Sequence, residues 1–265
     1  KIKNVFYGSE DPDVRTFKKA KKILNIKGIK AKLIKSKKFE SFYRSYFINK
    51  KFRTPFISAK IAVSKDYYSI NKKHKWISNI FSRKITHLLR SKHDAIISTS
   101  KSINCDNALL NCRIEGLNKY KPDLFIIDLN LKLKKKLLLN KILKKRRTYL
   151  ITYKSNIKKA QLYKKKGYKM IYIDSLIKKN DFKILYKKLY KMGYTRVLVE
   201  AGLTFLNNLI KNSLVNDLYI FKSNFNLKKN GKNNASIKYL KSILTKPISI
   251  NLNNDKLYKK EFYNV

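Results

Sequence analysis

Apolar residues fall along the chain in two alternating rhythms, helix-period segments closed by Gly and short, nearly continuous apolar runs. Three times the first passes straight into the second: RTFKKAKKILNIKG ends at Gly28 before IKAKLI, NIKKAQLYKKKG ends at Gly167 before YKMIYI, and DFKILYKKLYKMG ends at Gly193 before YTRVLVE. Each Gly suits the left-handed position just past a helix C-terminus, which predicts a helix and then a strand at all three places. Further strands are predicted at PFISAKIAV (55–63), DAIIS (94–98), DLFIIDL (123–129), TYLITY (148–153) and DLYIFK (217–222). The closing KLYKKEFYNV alternates and reads as an antiparallel edge strand. Helices are predicted over SRKITHLLRSK (82–92) and LTFLNNLIKNS (203–213). Strands separated by helices require crossover connections and a largely parallel, buried sheet, an α/β fold.

Two stretches interrupt the rhythm. FINKKFRTP, near residues 45–54, is polar and basic with Pro55 opening a new strand, and predicts a boundary. KLKKKLLLNKILKKRR (132–147) carries leucines at helical spacing, so it reads as a surface helix or excursion with a basic outer face rather than a nucleic-acid arm.

Composition changes the picture in two ways. Of 265 residues 43% are hydrophobic, enough for a real core. The formal charge is +48, from 64 basic and 16 acidic residues, which points first to nucleic acid or an anionic membrane. The excess is almost all Lys, spread evenly and accompanied by Asn, Ile and Tyr, and it reads as compositional drift of exposed positions; Arg is the residue whose planar fork suits phosphate and base recognition. A solvated basic surface is therefore preferred to a dedicated nucleic-acid site. Cys105 and Cys112 cannot form a disulfide framework and lack zinc spacing, which fits a cytoplasmic compartment. No apolar run approaches a membrane span and the start is not a signal peptide. The chain opens without Met in what reads as a strand, so it is expected to be a fragment of a longer polypeptide.

Four stretches in order resemble the reductase part of the bifunctional riboflavin-biosynthesis deaminase/reductase family. PFISAKIAVSKD (55–66) resembles its first reductase strand, P-x-V-x-x-K-x-A-x-S-x-D, and KWISN (75–79) its W-I-T/S motif. HLLRSKHDAIISTSKSINCDNALLNCR (87–113) is similar to the block L-R-x-x-x-D-A-I, T-x-x-x-D-x-P-x-L-x-x-R, and RVLVEAGLTFLNNLIKNSLVNDLYIFKS (196–223) to the strand, V-E-G/A-G-x-T-L turn, helix and V-D-E-L strand. Residues 4–36 resemble the tail of that family's deaminase domain. The H-x-E and P-C-x-x-C of a zinc deaminase are missing here, so zinc is expected only in an upstream part and no metal site in this chain.

The resemblance implies a dihydrofolate-reductase-like three-layer domain with a mainly parallel mixed sheet over 51–265, preceded by a deaminase remnant over 1–50. It implies NADPH-dependent reduction of 5-amino-6-(5-phosphoribosylamino)uracil to the ribitylamino compound by a cytoplasmic homodimer. The cofactor performs the hard chemistry, so no dedicated nucleophile is required. By carry-over, Ala62, Trp76, Ser102, Asp106, Gly202, Leu203, Thr204, Phe205, Leu206, Asn207 and Asn208 bind NADPH, while His74, Arg90, Leu110, Arg113 and Glu200 bind substrate, the two arginines at its phosphate. Independently of the family, Gly202 stands where a strand passes into a helix, which reads equally as an anion site or as an ordinary turn, and a carboxylate at a buried strand end such as Glu200 must be paired. The sequence departs from the family pattern at Tyr67, where Gly is usual, at His74, where a small hydroxyl residue is common, and at Asn107, where Pro is usual. The competing readings are a basic nucleic-acid-binding protein and another dihydrofolate-reductase-like pterin or pyrimidine reductase.

Overall fold

A computed structural model of the chain describes residues 2–13, 15–17, 19–117 and 122–263. The described residues form two compact units, one running to Phe56 and taking in Leu185–Thr195, the other comprising Ile57–Ile184 and Arg196–Val265.

In the first unit β1 (Asn4–Tyr7) and β2 (Lys30–Leu33) pair in parallel, joined through α1 (Lys19–Ile26), which ends at the predicted Gly28 with φ +73°. Residue 18 of the predicted helix lies outside the described residues, as do 264 and 265 of the predicted last strand. The polar stretch read as a boundary is the second half of a helix, α2 (Lys37–Phe52), and the leading segment of the first unit closes just after it, at Phe56. Ser36 caps it by accepting from the Lys38 amide, and Arg53 ends it in the left-handed conformation. Its Lys and Arg residues are good helix formers, so basic composition alone does not mark a linker.

The second unit is built on an eight-stranded sheet. In chain order its strands are β3 (Phe56–Val63), β5 (Ala95–Thr99), β6 (Asp123–Ile127), β7 (Thr148–Tyr153), β8 (Lys169–Ile173), β9 (Arg196–Val199), β10 (Asp217–Lys222) and β12 (Lys256–Glu261), and a two-stranded ribbon pairs β4 (Ile70–Asn71) with β11 (Gly231–Lys232). Across the large sheet the order is β12-β10-β3-β9-β5-β6-β7-β8, with β12 antiparallel at one edge as predicted. The pairs β10 with β3, β9 with β5, and β5 through β8 are parallel. β5 and β6 are buried on both faces, which is why they read as unbroken apolar runs. Phe125 of β6 stacks on Tyr149 of β7 with centroids 4.6 Å apart.

The connecting helices are α3 (Ile80–Ser91), α4 (Ser100–Asp106), α5 (Ile157–Lys165), α6 (Lys179–Lys191) and α7 (Leu203–Lys211), with a short α8 (Lys238–Ser242) beyond the last parallel strand. Right-handed crossovers put α3 and α5, which serve steps one way along the sheet, on one face, and α6 and α7, which serve steps back, on the other. Phe182 of α6 and Phe205 of α7 meet accordingly, 6.1 Å apart. The Lys-rich excursion is a 3-10 helix, Leu138–Lys145, rather than an α-helix; Leu139 and Leu143 are buried and its lysines face water.

Two departures from the family pattern have a backbone reason. Asn107 sits at φ +45° as the C-cap of α4, a conformation open to Asn and closed to Pro. Tyr67 takes φ +68° at a position where Gly would cost nothing, and its ring lies 4.0 Å from the Lys222 ammonium.

His93 ties α3 to β3. Nδ1 is 2.6 Å from the Leu89 carbonyl and Nε2 2.9 Å from Ser58 Oγ. Burial, chiefly, pushes its pKa down to about 4. Because the folded state disfavours the proton, the associated stability is complete above the unfolded value near 6.5 and is lost as pH falls toward 4, about 3 kcal/mol in all. Urea midpoints between pH 7 and 4 should fall in wild type and fall less in His93→Gln; parallel curves would refute this.

Candidate active site

Strand order reverses its direction of growth between β9 and β5, and ligands of open α/β sheets gather outside the carboxyl ends of strands at such a point. Two turns flank it. After β5, Thr99 caps α4, its Oγ1 accepting from the Ser102 amide at 3.2 Å. After β9, Gly202 is the N-cap of α7 with extended backbone (φ −67°, ψ 164°) and offers no capping side chain. The Gly202 amide donates to Ser102 Oγ at 3.2 Å, joining the turns. The first amides of α7 are therefore left for an anion.

Of the predicted α7 residues, Leu203 and Leu206 are core side chains, 2% and 1% exposed, and only their backbone is available to a ligand. Thr204 Oγ1 donates to the Asn234 carbonyl and Asn207 Nδ2 to that of Ser236. Asn207 Oδ1 is buried with no donor among the described residues. Asn208 Oδ1 accepts from Asn212 Nδ2.

Glu200 stands at the end of β9, its amide bonded to the Ile97 carbonyl and its carbonyl to Ser98 Oγ, so the backbone fixes the side chain. Its carboxylate is clasped by Arg90 of α3, with Nε to Oε1 at 2.6 Å and the second contact at 2.9 Å. Both residues are only 9% exposed. Burial alone would raise the Glu200 pKa, but the Arg90 charge and hydrogen bonds outweigh it and hold the carboxyl below its ordinary value. Arg90, against burial, is raised by the same pair. The remaining Arg90 nitrogen donates to the Asn111 carbonyl at 3.0 Å, so its fork is fully engaged.

Arg113 follows on the loop after α4. Arg146, buried behind that loop, anchors it by donating to the carbonyls of Pro122, Leu109 and Leu110. Leu110 is buried in the core with φ +50°. Arg113 is exposed, and an Nη lies 3.3 Å from His87 Nε2. Burial, Arg90 and Arg83 all lower its pKa. Arg83 in turn lies 4.9 Å over the ring of Trp76, which is half exposed. A chain of contacts thus runs from Ser102 and Gly202 through Glu200, Arg90, His87 and Arg113, and by shared charge through Arg83 to Trp76.

Asp106 closes α4. It is open to solvent yet surrounded by protein, and the loss of bulk water raises its carboxyl despite Lys60 and Lys75 nearby. Ala62 packs beside Phe221 on β3, and His74 is exposed on a loop; no hydrogen bond among the described residues brings either to the cluster.

Lys60 belongs to the cluster although sequence reasoning gave it no role. It lies on β3 beside β9, its ammonium 5.6 Å from the Phe221 ring. Burial lowers its pKa most, Arg90 adds to this, and Glu200 and Asp106 oppose. A Lys inside a strand that is otherwise buried was the available signal. Arg83 and His87 were missed because their meaning depends on Arg113, distant in the chain.

The family model described as RibD C-terminal domain matches residues 55–223, most of the chain and all of the cluster above. The chain belongs to the RibD C-terminal domain family. Similar curated proteins are the riboflavin biosynthesis protein RibD of Buchnera aphidicola subsp. Baizongia pistaciae, 30% identical over 187 residues (63% of this chain, 47% of that protein), and that of Actinobacillus pleuropneumoniae, 22% identical over 223 residues (83% and 59%). The chain spans about half the length of such relatives. Among solved structures, Acinetobacter baumannii RibD superposes with a TM-score of 0.74 at 20% identity, covering 97% of this chain and 72% of that one. A Saccharomyces riboflavin biosynthesis reductase does so with a TM-score of 0.59 at 20% identity, covering 85% and 99%. These likenesses show the α/β fold of RibD, with its mostly parallel mixed sheet. No helix among the described residues is long and apolar enough to cross a membrane, and no described group of His, Cys, Asp and Glu could hold a metal ion.

Proposed function

We propose that this RibD-family chain reduces 5-amino-6-(5-phosphoribosylamino)uracil to its ribitylamino product with NADPH, as a step of riboflavin biosynthesis. The observation that carries the reading is a buried carboxylate, Glu200, fixed by Arg90 two residues before an uncapped helix N-terminus. Such a turn suits a dinucleotide pyrophosphate, which would leave the carboxylate for the substrate beside it. The residues fit NADPH: Gly202 has room toward Ser102, whose Oγ is 3.9 Å from where a Cβ would stand, and Asn207 Oδ1 is a buried acceptor awaiting a donor. We assign residues 51–265 to the reductase domain and 1–50 to a deaminase remnant. A cytoplasmic homodimer accords with the same reading.

When bound, NADPH supplies a hydride to the anomeric carbon of the sugar. Gly202, the amides of α7 and Ser102 hold the phosphates. Glu200, kept ionised by Arg90, lies where positive charge develops as the ribosylamine ring opens to an iminium, and stabilises it. Lys60 donates the proton that the ring oxygen takes as its bond to the anomeric carbon breaks, a role to which a lowered pKa is matched. Arg113, with no carboxylate partner among the described residues, holds the phosphate.

Purified protein should oxidise NADPH only when the phosphoribosylamino-pyrimidine is supplied. Well-folded protein that consumes none, yet binds polynucleotide tightly at physiological salt, would overturn the reading in favour of a nucleic-acid-binding protein. Lys60→Gln should lower kcat by roughly 100-fold or more with KM little changed, as for loss of a general acid. An unaltered kcat would remove Lys60 from the proton path.

A further inference from the structure

Arg83, His87 and Arg90 recur at i, i+4 and i+7 along α3 and share one face of it. The loop after α4 brings Arg113 to that face. Glu200 is the carboxylate that pairs with Arg90, and among the described residues none pairs with Arg83 or Arg113. The cluster therefore carries excess positive charge built from guanidinium groups, which suits a phosphate dianion better than the scattered surface lysines do.

His87 sits at its centre. Nδ1 is 2.9 Å from the Asn111 carbonyl oxygen, and Nε2 is 3.3 Å from an Nη of Arg113. The Arg113 amide, at 3.3 Å, and Arg90 Nη1, at 3.5 Å, also face Nδ1; the carbonyl contact is the shortest of the four, and together with the guanidinium at Nε2 it favours the neutral tautomer with its proton on Nδ1. Burial first, then Arg90 and Arg113, push the imidazole down to about 4, so it is neutral in ordinary buffers. Asn111 also receives Arg90, so a single carbonyl sets the positions of His87 and Arg90 together.

We propose that His87 is a positioning residue of a phosphate-monoester site: by accepting from Arg113 it aims an otherwise exposed guanidinium at the ligand's phosphate. That this phosphate belongs to the pyrimidine substrate rests on the function proposed above; the phosphate site itself does not.

Calorimetric titration of the whole chain with ribose 5-phosphate, and with ribose as the uncharged comparison, tests this. Wild type should bind ribose 5-phosphate. His87→Leu should weaken that binding about tenfold, the worth of one charge-assisted hydrogen bond, while His87→Gln, which keeps an acceptor, should recover most of it. In turnover the Leu variant should show the same factor in KM with kcat within about twofold. Nitrogen NMR of the wild-type histidine rings needs no variant and should show His87 protonated on Nδ1. A ring protonated on Nε2, equal affinity of wild type and His87→Leu for ribose 5-phosphate, or a wild type that does not bind it, each overturns the proposal. If ribose 5-phosphate binding depends on His87 while wild type fails to turn over the pyrimidine, the reductase reading falls and the phosphate site stands.

Discussion

Glu200→Gln should cost about 3 to 5 kcal/mol of stability and at least roughly 100-fold in kcat/KM. The first figure follows from leaving Arg90 buried without its counter-charge, the second from removing a preorganised anion where the proposed reaction develops positive charge. Urea midpoints and NADPH-linked turnover measure the two separately. The double variant Glu200→Met with Arg90→Met should regain most of the stability, since an apolar pair can replace a buried ion pair, while turnover stays low. In wild type the Glu200 contribution is complete above the unfolded carboxyl value of 4.5 and is lost as pH falls through the lower folded value. Retention of both midpoint and rate in Glu200→Gln would deny this residue its place in the site.

Gly202→Asp should separate folding from cofactor binding. The position has ordinary backbone angles for any residue, and an added Cβ meets only Ser102 Oγ at 3.9 Å, so the side chain fits. An Asp there can cap α7 and complement its dipole, raising stability by a few tenths to about 1 kcal/mol. It would also occupy the amides proposed to hold the pyrophosphate and repel it, so NADPH affinity should fall at least roughly 100-fold. Gly202→Ala, which adds bulk without charge, should lose far less. Titration of NADPH against Trp76 fluorescence, with a melting curve for each variant, measures both effects. Unchanged NADPH affinity in Gly202→Asp would place the cofactor elsewhere.

The strands and most helices were legible because local physics and the fold agree. Gly28, Gly167 and Gly193 all adopt positive φ where helices end, and β5, β6 and β7 read as apolar runs because both faces are covered. The stretch near residues 45–54 does stand at the edge of a compact unit, whose leading segment closes at Phe56, but its Lys and Arg signal exposure, not the absence of a helix, and α2 runs to Phe52. Of the site, the Gly202 turn and the need for a partner at Glu200 were visible, since each is a property of a strand end.

The identity of that partner was not visible. Arg90 is 110 residues away from Glu200 in the chain, and the resemblance assigned it to a phosphate; in the structure its fork closes on the carboxylate and on Asn111. Lys60 looked like one strand residue among many, and His87 like an ordinary helix position. The sequence by itself determined the rhythm of elements, the buried sheet and the uncapped turn, because these depend on near neighbours and on which residues avoid water. Only the tertiary structure decided which charges face one another, because Coulomb interactions and hydrogen bonds act through space and their partners come from β3, α3, the loop after α4 and β9.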